Sequence, residues 1–594
     1  MSYRRKKLLA LFFAMALSMT AVAGCTGIKS STGNVVSSET ETNAEETSAQ
    51  SEAGTFSSAD MFTERDLAGT YEESGAVYVT LSDDGITGET DGVAINGQMV
   101  TITAEGTYIF SGTLSEGQIV VDADNAKVQI VFDNVDITCA SSAAVYVKSA
   151  EKVFVTLAEG SQNTLRNTDE YVAIDDNNID AVIFAKSDLT LNGTGSLTII
   201  SAEGHGIVSK DDLKIIGGTY DITAAGHALS GKDSVRIADG TFILTAEKDG
   251  IHAENADDEE KGYIYIADGD FTITSDGDGM DASNIVQIED GTLDITAGGG
   301  AANSLKTHES DVPGGPGGGM PQNGEKLDGE SMPQMGEKPD GENMPQDTTT
   351  DESGTSTKGI KAGGGMYLNG GTYQIDSADD SIHSNANITI ADGTYTLATG
   401  DDGVHADDAL IVNGGTITVT ESYEGLEGLT VTINDGTIDI TASDDGINTA
   451  GEKMELNGGY IHILAGGDGV DSNGDLTING GEIYIDGPSD NGNSAIDYGD
   501  RSSAYVNGGT LVAIGSSGMA EVMSDSSKQK VLMVKLGEQM EAGNVVLTDS
   551  EGNVIVSYTA LKTYDCVIIS TAEVESGATY TLTTSGTTTE VTAE

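Results

Sequence analysis

Tryptophan is absent from the 594 residues, and only seven prolines and three cysteines occur. Without tryptophan, flat indole platforms for a cellulose surface are excluded; of the tyrosines, Tyr220, Tyr373 and Tyr395 fall at inward positions and are expected in the core, which leaves Tyr484 and Tyr423 as the exposed aromatic candidates. The scarcity of cysteine rules out a disulfide-stapled scaffold and a thiolate metal site; Cys139 and Cys566 fall in different modules, with nothing to support their pairing. Positive charge is also scarce. Lys and Arg number 28 against 96 Asp and Glu, a formal net charge of -68, so nucleic acid and anionic lipid surfaces are poor partners. After the first 24 residues no apolar run reaches the roughly 20 residues that a membrane-spanning helix needs.

What is present begins with a leader. Arg4, Arg5, Lys6 and Lys7 precede an apolar run from Leu8 to Met19, and Val22-Ala23-Gly24-Cys25 closes it as a lipobox. This pattern predicts a lipoprotein signal peptide over 1–24 and lipidation of Cys25, which would place the protein on the extracellular face of the cell membrane, attached by lipid alone. Residues 25–75, rich in Ser, Thr and Glu, read as a disordered tether.

Glycine, by contrast, is abundant, with 78 residues, and it punctuates a repeat. Ala391-Asp392-Gly393-Thr394-Tyr395-Thr396-Leu397 leads to Asp401-Asp402-Gly403-Val404-His405, and copies of this line recur about every 22 residues through Ile485. Within each copy, short β-branched runs of period two alternate with Gly, Asn and Asp turns. A unit this short cannot bury its apolar face alone, so it has to stack on its neighbours. The pattern predicts an all-β fold, a right-handed parallel β-helix with ladders of like residues inside: Tyr373/Ile375, Tyr395/Leu397, Ile417/Val419, Ile438/Ile440 and Ile483/Ile485. A less regular N-terminal β cap with the first coils is expected over 76–179, the β-helix over 180–515 and a small C-terminal β module over 516–594. A Pro/Gly/Met-rich disordered insertion is expected over 302–357.

Aligned by period, the coils place acids in one column: Asp380, Asp402, Glu424, Asp445 and Asp468, with Asp379, Asp401 and Asp444 just before three of them. Three residues on lies a second polar column of His383, His405, Glu427, Asn448 and Asp471. Carboxylates one coil apart repel by about 1 kcal/mol per pair in water and more where water is excluded. Oxygen donors at that spacing suit several calcium ions; the bland reading is that Asp-Gly and Asn-Gly only form turns. His383 and His405 are either a stacked imidazole pair for a transition metal or ordinary exposed side chains. Lys361 departs from its column by sign, with Lys358 where the aspartate would be. Beside bound calcium Lys361 would suit the base of a polyuronate lyase; otherwise the two lysines offset the acids or hold an anionic sugar.

Gly106-Thr107-Tyr108-Ile109-Phe110-Ser111-Gly112, Gly117-Gln118-Ile119-Val120-Val121, Asn163-Thr164-Leu165, the Asp-Gly-Ile-His-Ala coils and the Gly-Ile-Lys-Ala coil together resemble bacterial surface carbohydrate-binding β-helix proteins. The resemblance covers most of 76–514. It implies calcium-bound parallel β-helices similar in fold to family 9 pectate lyases, binding cellulose and polygalacturonate, with calcium at Asp379, Asp380, Asp401, Asp402, Asp444 and Asp445. The expected function is a monomeric, lipid-anchored protein that binds acidic polysaccharide through calcium, with Lys358, Lys361, His383, His405 and Glu427 against the sugar. The alternatives are a calcium-dependent lyase using Lys361 and a surface adhesin or spacer with no sugar site.

Overall fold

The computed structural model describes residues 55–306, 356–499 and 501–593. The leader, Cys25, the first part of the tether and most of the insertion lie outside the described residues. The described part is one compact unit. Its strands join almost entirely by parallel pairing, each strand bonded to one about a coil earlier and one about a coil later, which makes the fold a parallel β-helix.

Three ladders run the length of the stack. In the first, Thr372–Ser377, Thr394–Thr399, Thr416–Glu421, Thr437–Ala442, Tyr460–Ala465 and Glu482–Asp486 align so that Tyr373, Tyr395, Ile417, Ile438, Ile461 and Ile483 form one inward file. The inward residues expected from the alternation are all buried. Each such side chain contributes about 1.5–3 kcal/mol when taken out of water. Aromatic rings stack within the file, with Tyr373 and Tyr395 centroids 4.5 Å apart and Phe242 and Phe271 4.6 Å apart.

Two turn columns use glycine for different reasons. Gly393 and Gly436 sit at φ 124° and 122°, in the left-handed region, and Asp392 and Asp435 each accept the following glycine N–H at 2.8 Å. These Asp-Gly pairs are turn formers, as the bland reading expects. In the acidic column, Gly403 and Gly446 are not at positive φ. A Cβ there would lie 2.5 Å from the carbonyl oxygen of Gly425 or Gly469 in the next coil, so glycine is needed for close stacking. At the first of these corners, in the position just before Asp435-Gly436, asparagines form an amide ladder: Asn434 donates to Asn413 at 2.8 Å, Asn457 to Asn434 at 2.9 Å and Asn479 to Asn457 at 2.8 Å.

Parallel stacking already starts at Val77–Leu81 on Gly106–Leu114, and an antiparallel hairpin, Val93–Asn96 with Met99–Ile102, sits at this end. At the other end Leu532–Met540 and Tyr564–Ser570 pair antiparallel with each other, and Tyr564–Ser570 with Thr510–Gly515. Gly543–Thr548, Val554–Ala560, Thr579–Thr584 and Thr587–Thr592 form a separate antiparallel sheet. Cys139 and Cys566 are buried free thiols.

The tether expected to run to residue 75 stops short of that. Two helical turns, Ser58–Met61 and Glu64–Leu67, lie against the coils. Phe56 packs against Tyr263 with ring centroids 4.3 Å apart, Met61 is buried, and Asp66 accepts from Lys152 at 2.5 Å and from Thr190 at 2.9 Å. The low-complexity composition hid two apolar anchors and one aspartate, which is enough to dock a short segment.

Candidate functional site

The strand register brings the second polar column into a single file: His252, Asp281, Lys361, His383, His405, Glu427, Asn448, Asp471 and Asp497 are each paired with the next. Three residues before each of these runs the acidic column, which extends further than expected, through Asp278 and Asp249 to His227 and His205.

The acidic column has a structural function that spacing alone does not reveal. Along much of the column, one carboxylate oxygen accepts the backbone N–H of the counterpart in the next coil: Asp249 from Asp278 at 2.9 Å, Asp278 from Lys358 at 2.7 Å, Asp380 from Asp402 at 3.1 Å, Asp402 from Glu424 at 3.2 Å, Asp445 from Asp468 at 2.6 Å, and Asp468 from Ser494. Lys358 cannot accept, and there Asp379 takes over, receiving the Asp380 N–H at 2.9 Å. The second oxygen is left to face the polar column. His383 Nδ1 lies 2.8 Å from Asp380 Oδ2, and His405 Nδ1 lies 2.9 Å from Asp402 Oδ2 and 2.8 Å from Glu427 Oε2.

Asp379, Asp380 and Asp401 converge within metal-ligand distance of one another. Two ammonium groups are already there. Lys306 Nζ is 2.6 Å from Asp379 and also pairs with Asp401; Lys358 Nζ is 2.9 Å from Asp379 and 2.6 Å from Asp380. Burial opposes both charges, yet the surrounding aspartates raise both lysines above their ordinary range. Expected as calcium ligands, these three acids are therefore neutralised by lysine in this structure. Lys306 was hidden because it falls within the stretch read as insertion.

Farther along, Asp445, Asp468 and Asp471 converge, and among the described residues no basic side chain is paired to them. Burial, then neighbouring carboxylates, raise Asp445 to about 8 and Asp471 to about 6; Asp468 is raised by burial to about 7 despite the Ser494 N–H. Asp444 stands beside them, and a side chain at Gly467 would collide with the carboxylates of Asp444 and Asp445. Glu424 instead accepts from Asn448 at 2.9 Å. The donor set is all oxygen and partly shielded, which fits a hard divalent cation.

Lys361 is 3.3 Å from Asp281 and 3.5 Å from Asp278. Burial would lower its pKa, but the two carboxylates outweigh burial and raise it. A base that must shed its proton near neutrality needs the opposite shift, so the environment expected for a lyase base is not met. His383 and His405 are tilted by 34° with centroids 4.9 Å apart rather than stacked. Tyr220, Tyr373 and Tyr395 are core, as expected. Tyr484, expected to be an exposed aromatic, instead stacks on Tyr558 of the C-terminal region at 5.2 Å.

A family model described as carbohydrate-binding domain-containing protein matches residues 96–403 and 401–553, well over half of the chain. A carbohydrate-binding domain-containing protein of Acetivibrio thermocellus is 41% identical over 135 residues, 22% of this chain and 47% of the relative; the chain thus spans about half the length of that curated relative. Among solved structures, a gadolinium derivative of the polysaccharide lyase-like protein from C. thermocellum aligns over 38% of this chain and 92% of its own, at 35% identity and a TM-score of 0.36. With its repeat register and its polar file in place, this chain belongs to the carbohydrate-binding domain-containing protein family.

Proposed function

We propose that the protein binds acidic polysaccharide, of the polygalacturonate type, through calcium seated on the carboxylate file, and that lipid on Cys25 holds it at the outer face of the cell membrane. The observation that carries this reading is the convergence of Asp445, Asp468 and Asp471 without a lysine or histidine among them. Three shielded carboxylates at that separation repel, and a calcium ion at about 2.4 Å from each relieves the repulsion while keeping coordination positions for a sugar carboxylate. Family membership supports a carbohydrate partner. The strongly negative chain favours a cation-bridged acidic polymer over direct contact.

Affinity electrophoresis in polygalacturonate, with calcium or with chelator, tests this. Retardation should need calcium and should be lost in Asp468→Asn and Asp471→Asn. Retardation that persists in excess chelator would overturn the proposal.

A further inference from the structure

We infer that Tyr460, Tyr484, His462 and Asp439 form a binding site for an uncharged pyranose on the outer face of the first ladder, independent of cations and distinct from the calcium reading. Before this point the outward columns of the ladder carry short polar side chains. One column runs Thr372, Thr394, Thr416, Thr437 and then Tyr460; its neighbour runs Gln374, Thr396, Thr418, Asp439 and then His462 and Tyr484. Tyr460 is 41% exposed, while Ile461 and Ile463 of the same strand are buried and supply its core contacts. Packing of the coil therefore does not account for an aromatic ring at that position.

The rings form a short series. Tyr460 and Tyr484 have centroids 5.7 Å apart with planes at 43°, and Tyr484 in turn lies 5.2 Å from Tyr558 with planes at 12°. Tyr484 and Tyr558 pack against the apolar core of the C-terminal region, which makes them the fixed base of the group. Asp486 secures that base: one oxygen accepts the Tyr558 O–H and the other the Leu561 N–H at 2.8 Å. Among the described residues the Tyr460 hydroxyl has no hydrogen-bond partner. The result is a bent aromatic surface, anchored at the C-terminal side and open at Tyr460.

A pyranose has the complementary surface. Its C–H face leaves water for such a ring, and its hydroxyls require polar partners at the rim. Asp439, whose side chain is 58% exposed, sets Oδ1 2.9 Å from His462 Nδ1 and keeps Oδ2 for a sugar hydroxyl. His462 Nε2 is 3.7 Å from Asp486, beyond hydrogen-bond reach, and so offers a second polar contact. Charge selects against uronates. The acids in register here are Asp439, Glu482 and Asp486, and Lys562 is occupied by the Ala465 carbonyl. Among the described residues these acids do not converge within metal-ligand distance, so the corner has no seat for an ion that would bridge a sugar acid. The second stretch matched by the carbohydrate-binding family model, 401–553, spans all four residues.

Affinity electrophoresis in excess chelator, in gels containing hydroxyethylcellulose or β-1,4-galactan, tests the site. At least one of these uncharged polymers should retard the wild type, with apparent affinity reduced about tenfold in Tyr460→Ala and kept in Tyr460→Phe, which retains the ring. Asp468→Asn, which removes a ligand of the calcium reading, should leave this retardation unchanged, so the two sites fail or stand separately. Circular dichroism checks that the coils persist in Tyr460→Ala. Migration of the wild type unaffected by both polymers, or equal retardation of the wild type and folded Tyr460→Ala, would overturn the inference.

Discussion

Lys358 Nζ lies 2.6 Å from Oδ2 of Asp380, one coil away, in the space a metal ion bridging the neighbouring acids would need. The file is thus loaded in two ways: with ammonium groups near its middle and, on our proposal, with calcium farther along.

The lysines and a divalent ion should compete for the same carboxylates. In Lys306→Met/Lys358→Met, Asp379, Asp380 and Asp401 lose their counter-charges, which costs about 3–5 kcal/mol in chelator, as when one partner of a buried pair is removed. Calcium should restore much of that loss, and calorimetry should count one more ion than in the wild type. An unchanged count would mean the acids there cannot serve as ligands.

Stability in chelator should fall with rising pH. Asp445, Asp468 and Asp471 titrate at about 8, 7 and 6 in the folded chain, chiefly through burial, against an ordinary carboxylate near 4 in the unfolded chain. The folded state therefore holds extra protons between about pH 4 and 8. Its advantage is complete below that window and is lost as pH climbs through it. Melting curves at pH 5 and pH 8 should differ more in the wild type than in Asp468→Asn, and calcium should abolish the difference. A wild-type melting temperature that rises with pH in chelator would contradict this.

Tyr395 should show the worth of the inner aromatic file. Its ring stacks on Tyr373 and its hydroxyl donates to the Asp392 carbonyl at 2.9 Å. Tyr395→Ala should cost about 3–5 kcal/mol and Tyr395→Phe about 1 kcal/mol, read from denaturant midpoints.

Asp66 pins the N-terminal segment. Burial alone would raise its carboxyl, but hydrogen bonds from Lys152 and Thr63 prevail and bring it down to about 2. Asp66→Ala should free residues 55–70 for limited proteolysis while the coils stay protected; equal protection in the variant would show that Met61 and Phe56 suffice.

The repeat made the coil architecture legible, because period-two alternation and like residues at equivalent positions allow only stacked β coils. Tyr373, Tyr395, Ile417 and Ile438 were readable as core for that reason. The acidic column was visible as well, but its first duty, accepting the next coil's N–H, was not, since that depends on which carboxylate oxygen faces which amide. Lys306 was unreadable because more than 70 residues separate it in sequence from Asp379 and Asp401. Tyr484 looked exposed because alternation within a strand says nothing of a later segment folding over it.

From Asp380 to Glu424, and again from Asp445 to Ser494, the carboxylate-to-amide bonds all point the same way, each unit supplying an acceptor to its successor. A whole aspartate-bearing unit spliced into such a run leaves these bonds made, whereas a fractional one orphans a donor. The stack is thus modular in whole turns, and its number of ion positions can be lengthened or shortened by gene duplication or loss without redesigning the corner that carries them.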